Sequence, residues 1–91
     1  METHSFSELQ KKLEESIKSF PYVYLFKFIT KSDSKSMALI EVMFDNDAEI
    51  RQKESSKGNY ISISVKQVVL SVDEIISIYK KASAIEGVII L

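Results

Sequence analysis

The stretch Ser55-Ser56-Lys57-Gly58-Asn59-Tyr60, followed at once by Ile61-Ser62-Ile63-Ser64-Val65-Lys66, constrains this chain more than any other. Gly58-Asn59 can take positive φ at little steric cost, and the alternation behind it has the two-residue period of a half-buried strand. A hairpin therefore begins here. Ile61, Ile63 and Val65 are expected to point into a core, with Tyr60, Ser62, Ser64 and Lys66 on the opposite face. Such a strand needs its apolar side covered, and the remaining segments read as that cover.

Ahead of the hairpin, Ser5 and Glu8 have capping-box spacing, and Phe6, Leu9, Leu13, Ile17 and Phe20 recur at helical steps until Pro21. Tyr22 to Thr30 is rich in aromatic and β-branched residues, with Tyr22, Tyr24, Phe26 and Phe28 on one side, expected to be core, and Val23, Leu25, Lys27 and Ile29 on the other. Both sides are largely apolar, which predicts a central strand with Lys27 the exception. Ser32-Asp33-Ser34 then offers N-caps for a second helix carrying Met37, Ile40, Met43 and Phe44. Ala48 to Glu54 holds Glu49, Arg51, Lys53 and Glu54, the charge load of a protected edge strand. The hairpin's second strand runs to about Val69, and Gln67 breaks its alternation, predicting an end or a bulge there. Ser71 and Glu74 form a second capping box ahead of Val72, Ile75, Ile76, Tyr79 and Ala82, and after Gly87 a short apolar strand spans Val88 to Leu91.

The order is an amphipathic helix over residues 1–19 followed by β-α-β-β-α-β over residues 20–91, one small domain. The economical solution is an α+β, ferredoxin-like fold: a four-stranded antiparallel sheet of order 4-1-3-2 with two helices on one face. With 45% hydrophobic and 27% charged residues, two glycines and one proline, the chain is expected to fold as a globule. The net charge is −1 with both signs mixed along the chain, and no local cationic cluster points to nucleic acid. Cysteine is absent, the first residues carry no apolar signal core, and no apolar run approaches the roughly 18 residues of a membrane span. A cytoplasmic protein with no membrane association is the expectation.

Phe20-Pro21, Tyr24-x-Phe26-Lys27 and Ser55-Ser56-Lys57-Gly58-Asn59-Tyr60-x-Ser62-x-Ser64, with a following amphipathic helix and short terminal strand, resemble the YbeD-like family of small bacterial proteins of unassigned function. The resemblance covers Phe20 to Leu91. It implies a ferredoxin-like fold akin to ACT regulatory domains and a regulatory role, sometimes linked to lipoate metabolism, and it implies no catalytic residues.

The residues themselves assemble no reactive set. His4 is the only histidine and lies near the terminus, and Asp45-Asn46-Asp47-Ala48-Glu49 lacks the glycine and the closing glutamate of a calcium loop. Lys57 to Ser64 sits where an RNA-recognition strand would, but Asn59, Ile61 and Ser64 stand where stacking aromatics are required. RNA binding is therefore the least favoured reading. Ser55, Ser56, Lys57, Gly58, Asn59 and Tyr60 form either a hairpin turn or, with Lys27, contacts to a small anionic ligand of the kind an ACT-like sensor takes. With two helices on one side, Val23, Leu25, Ile29, Lys27, Ser62 and Ser64 are left on the other. Either the N-terminal helix, through Phe6, Leu9, Leu13 and Ile17, or another chain closes that side. A non-enzymatic regulatory or interaction domain without cofactor or metal, a weak homodimer or the partner of another protein, is the reading favoured by sequence.

Overall fold

The computed structural model describes residues 2–91, with side chains from Phe6 onward. In chain order the elements are α1 (Glu2–Ser16), β1 (Tyr22–Lys31), α2 (Ser34–Glu41), β2 (Glu49–Glu54), β3 (Tyr60–Val69), α3 (Val72–Ser83) and β4 (Ile89–Ile90). The four strands form one antiparallel sheet of order β2-β3-β1-β4, which is the expected 4-1-3-2 arrangement read from the other edge. The fold is α+β with ferredoxin-like topology.

β1 and β3 pair along their whole length, from Tyr22 opposite Val69 to Lys31 opposite Tyr60. The register runs through Gln67, opposite Tyr24, without an offset, so neither the bulge nor the strand end expected there exists. Gln67 keeps the core-facing phase of Val65 and Val69 and is buried. Its Oε1 accepts the backbone N–H of Asp45 at 2.8 Å, which satisfies a polar group that burial would otherwise penalise.

The helices begin where side-chain oxygens meet orphan amides. Asp33 accepts from Ser36 N–H at 2.8 Å and starts α2. That bond also holds the Asp33 carboxyl below the usual carboxylate range. Ser71 accepts from Glu74 N–H at 3.1 Å and starts α3, while Glu74 Oε1 reaches one residue past the cap to accept from Leu70 N–H at 2.8 Å. α2 is shorter than the apolar stripe suggested. It stops at Glu41, and Met43 and Phe44 follow in tighter turns, donating to Ile40 and Glu41 carbonyls at 3.1 and 3.2 Å. Phe44 is still buried, its ring centroid 5.2 Å from that of Phe26.

α1 starts at Glu2, so Ser5 falls inside the helix rather than at its cap, and the side chains of His4 and Ser5 lie outside the described residues. The helix also ends at Ser16, well short of Pro21. It packs on α3: Leu13 and Ile17 are buried, Gln10 Nε2 lies 3.4 Å from Asp73 Oδ1, and Lys80 Nζ sits 5.9 Å from the Phe6 ring centroid. All three helices thus serve one core. Phe26, Phe28, Ile40, Ile63, Val65, Val69, Ile75 and Ala82 are fully buried at its centre.

Candidate interaction surface

Two-residue periodicity gives each strand one side in the core and one side out. On β1 the core side is Phe26, Phe28 and Thr30, with Tyr24 half-buried, while Tyr22 at the strand's start is exposed rather than part of the aromatic core. The outward side carries Val23, Leu25, Lys27, Ile29 and Lys31. β3 contributes Tyr60, Ser62, Ser64, Lys66 and Val68, β2 contributes Glu49, Arg51 and Lys53, and β4 contributes Ile89.

Apolar side chains on this face are accessible. Val23 is 59% exposed, Leu25 46%, Val68 53% and Ile89 55%, against 0% for Phe26 and Phe28 on the reverse of the same strand. Val23 stands opposite Val68 and Ile29 opposite Ile89, so the patch runs along β1 with Lys27 between Leu25 and Ile29. Lys27 is exposed, opposite Ser64, and the backbone carbonyl of Lys27 accepts from Leu91 N–H at 3.0 Å. Beside the patch, Arg51 Nη2 contacts Glu49 Oε2 at 2.9 Å, and this pair with nearby Lys66 holds the Glu49 carboxyl below the usual range.

The interface residues expected from sequence divide into two sets. Leu13 and Ile17 are buried in the core with Leu9 partly buried against it, whereas Val23 and Leu25 lie on the uncovered face. α1 does not close that face.

Ser55 to Tyr60 is an exposed hairpin turn with Gly58 at φ +75°. Gly58 N–H donates to Ser55 O at 2.9 Å, Ser55 N–H to Tyr60 O at 2.8 Å, and Tyr60 N–H to Ser55 Oγ at 3.3 Å. Asn59 O accepts from Ser32 N–H at 3.1 Å and ties the turn to the loop after β1. Ser56 and Lys57 are exposed. A shallow groove lined by Lys31, Ser32, Asp33, Gly58, Asn59 and Tyr60 lies alongside. No three His, Asp or Glu side chains among the described residues converge on a point where a metal ion would sit. No helix of the described residues is long and apolar enough to cross a membrane.

Lys31, Arg51, Lys53, Lys66, Val68 and Ile89 join this surface although the sequence reading did not single them out as site residues. The signal was strand parity, which places each of them in phase with Val23 and Leu25 once the strand order is known.

Fold and surface together define a small ferredoxin-like domain with one face of its sheet bare. The chain belongs to the family described as a protein of unknown function, DUF493, whose profile matches residues 15–91. A UPF0250 protein of Shewanella baltica is 33% identical over 84 residues, covering 88% of this chain and 94% of that protein. A UPF0250 protein of Haemophilus ducreyi is 32% identical over 83 residues, covering 87% and 84%. These matches confirm the YbeD-like resemblance carried by Phe20 to Leu91. No solved structure matches the chain.

Proposed function

We propose that the chain is a non-enzymatic regulatory or interaction domain that works through the bare face of its sheet, where another protein chain docks. What supports the reading is one observation: apolar residues of β1, β3 and β4 stay exposed although the chain has a third helix that packs elsewhere. The alternative of an ACT-like sensor, with an anionic metabolite at the Ser55–Tyr60 turn, has less support. Three of that turn's amides are already bonded within it, which leaves few donors for an anion.

The docking reading is tested by placing a photo-crosslinking amino acid at position 23 or, as a control on the outer side of α3, at position 77, in the full chain expressed in cells. Adducts of defined mass from position 23 and none from position 77 are expected. No adduct from position 23, or the same adducts from both, overturns it.

A further inference from the structure

Resting on that reading, we infer that the bare face receives an acidic segment of a different protein, one that carries apolar side chains among its carboxylates. The strands bring Lys27 and Lys31 from β1, Arg51 and Lys53 from β2 and Lys66 from β3 to one surface. These are five of the chain's 12 basic residues, yet Glu49 is the one of its 13 acidic residues on the outward side of those strands. A chain of net charge −1 thus concentrates cations here. Arg51 already pairs with Glu49, whereas Lys27 and Lys53 stand opposite Ser64 and Ser62 and make no ion pair among the described residues. The two serines separate the cations of β2 from those of β1, leaving space between them for an incoming carboxylate.

Charge decides among occupants. A second copy docking about a two-fold axis through the centre of the face sets Lys27 against Lys27 of its own image, at unfavourable energy. A single-stranded RNA shares the negative charge but stacks its bases on aromatic side chains, and the face offers only Tyr60 at its rim. Val23, Leu25, Val68 and Ile89 instead suit the apolar side chains of a polypeptide. The face is also polarised. Asp45, Asp47 and Glu49 outnumber Lys66 around the groove beside Val23 and Val68, so carboxylates are disfavoured at that end and attracted at the Lys27–Lys53 end. The occupant therefore lies with its apolar part over Val23 and its acidic part over Lys27 and Lys53.

The test is a titration of the isotope-labelled full chain, followed by amide chemical shifts. The probes are a synthetic peptide of valine and leucine followed by glutamates, the same peptide with lysine for glutamate, and poly(U). The acidic peptide is expected to shift amides of β1 and β3, less so at high salt. Lys27→Glu with Lys53→Glu weakens it by about tenfold or more, while Lys18→Glu with Lys81→Glu, exposed and away from the face, changes it by less than about twofold. Equal loss in both double variants overturns the inference. So does equal or tighter binding of the lysine peptide at the same amides, which leaves the docking reading standing. Stronger shifts with poly(U) replace the protein partner by nucleic acid, and shifts that depend on protein concentration alone replace it by a second copy. If no probe moves these amides, the docking face and the acidic partner fall together.

Discussion

Leu25 and Phe26 are neighbours in sequence and opposites in environment, and substituting each separately tests the two-sided sheet on which the functional reading rests. Phe26 is fully buried, its ring centroid 4.7 Å from Tyr24, 5.2 Å from Phe44 and 5.5 Å from Tyr79. Phe26→Ala removes those contacts and leaves a cavity that the surrounding rings cannot fill, a loss of about 3–5 kcal/mol. A domain of this size has about 5–15 kcal/mol in total, so the variant is at the margin of folding. Leu25 is 46% exposed, and Leu25→Thr places a β-branched residue suited to a strand there while giving up roughly half of a buried leucine's contribution, about 1 kcal/mol or less. With a urea slope of about 1 kcal/mol per molar, midpoints should fall by about 3–5 M for Phe26→Ala and by less than about 1 M for Leu25→Thr. Circular dichroism melts in urea measure both. Equal losses would refute the assignment of sides. A Leu25→Thr loss that grows with protein concentration would show the face closed by a second copy, against an acidic partner.

Two further outcomes follow from buried polar atoms. Tyr79 is buried with its hydroxyl 3.0 Å from that of Tyr24, and burial first, then this bond, pushes it well above the ordinary phenol range near 10. Because the folded state raises this pKa, its stabilisation is complete below about pH 10 and is lost as pH rises further. Wild-type stability should therefore fall more steeply than that of Tyr79→Phe above about pH 10, and parallel curves by chemical denaturation would refute the burial. Thr30 Oγ1 is buried without a hydrogen-bond partner among the described residues, so Thr30→Val, which keeps the shape and removes the unpaired hydroxyl, should raise stability by about 1 kcal/mol. A lower urea midpoint would show that the hydroxyl has a partner in solution.

The fold was legible where a local pattern and a local capping bond agree. Ile61, Ile63 and Val65 announced the side of β3, and Ser71 with Glu74 announced the start of α3, because the groups that satisfy those backbone amides lie within a few residues. Gln67 was misread because its partner is Asp45, on a turn 22 residues earlier, and a glutamine satisfied at that distance looks like an interruption in the pattern. The stripe from Met37 to Phe44 overstated α2 because tighter turns keep the same side chains facing the core. For α1 the spacing of Leu9, Leu13 and Ile17 showed an apolar side without showing what it would meet. The basic surface was hidden altogether, since Lys27, Arg51, Lys53 and Lys66 come from three strands and no window of sequence holds them together.

The position of α1 and the cations on the bare face bear on the same question. An amphipathic helix of 15 residues was available to close the sheet, and it packs on α3, where Leu13 and Ile17 extend the core already formed by Ile75, Ile76 and Tyr79. The sheet's other side is then left with Val23, Leu25 and Val68 in water, an arrangement that invites pairing between copies. Lys27 at its centre, with Lys53 and Arg51 on the adjoining edge strand, opposes that pairing by placing like charges opposite each other. The same charges attract a chain of the other sign. A surface built in this way discriminates by repulsion as much as by contact, and Lys27→Leu should relax it in a definite direction: self-association in light scattering rises while affinity for an acidic peptide falls.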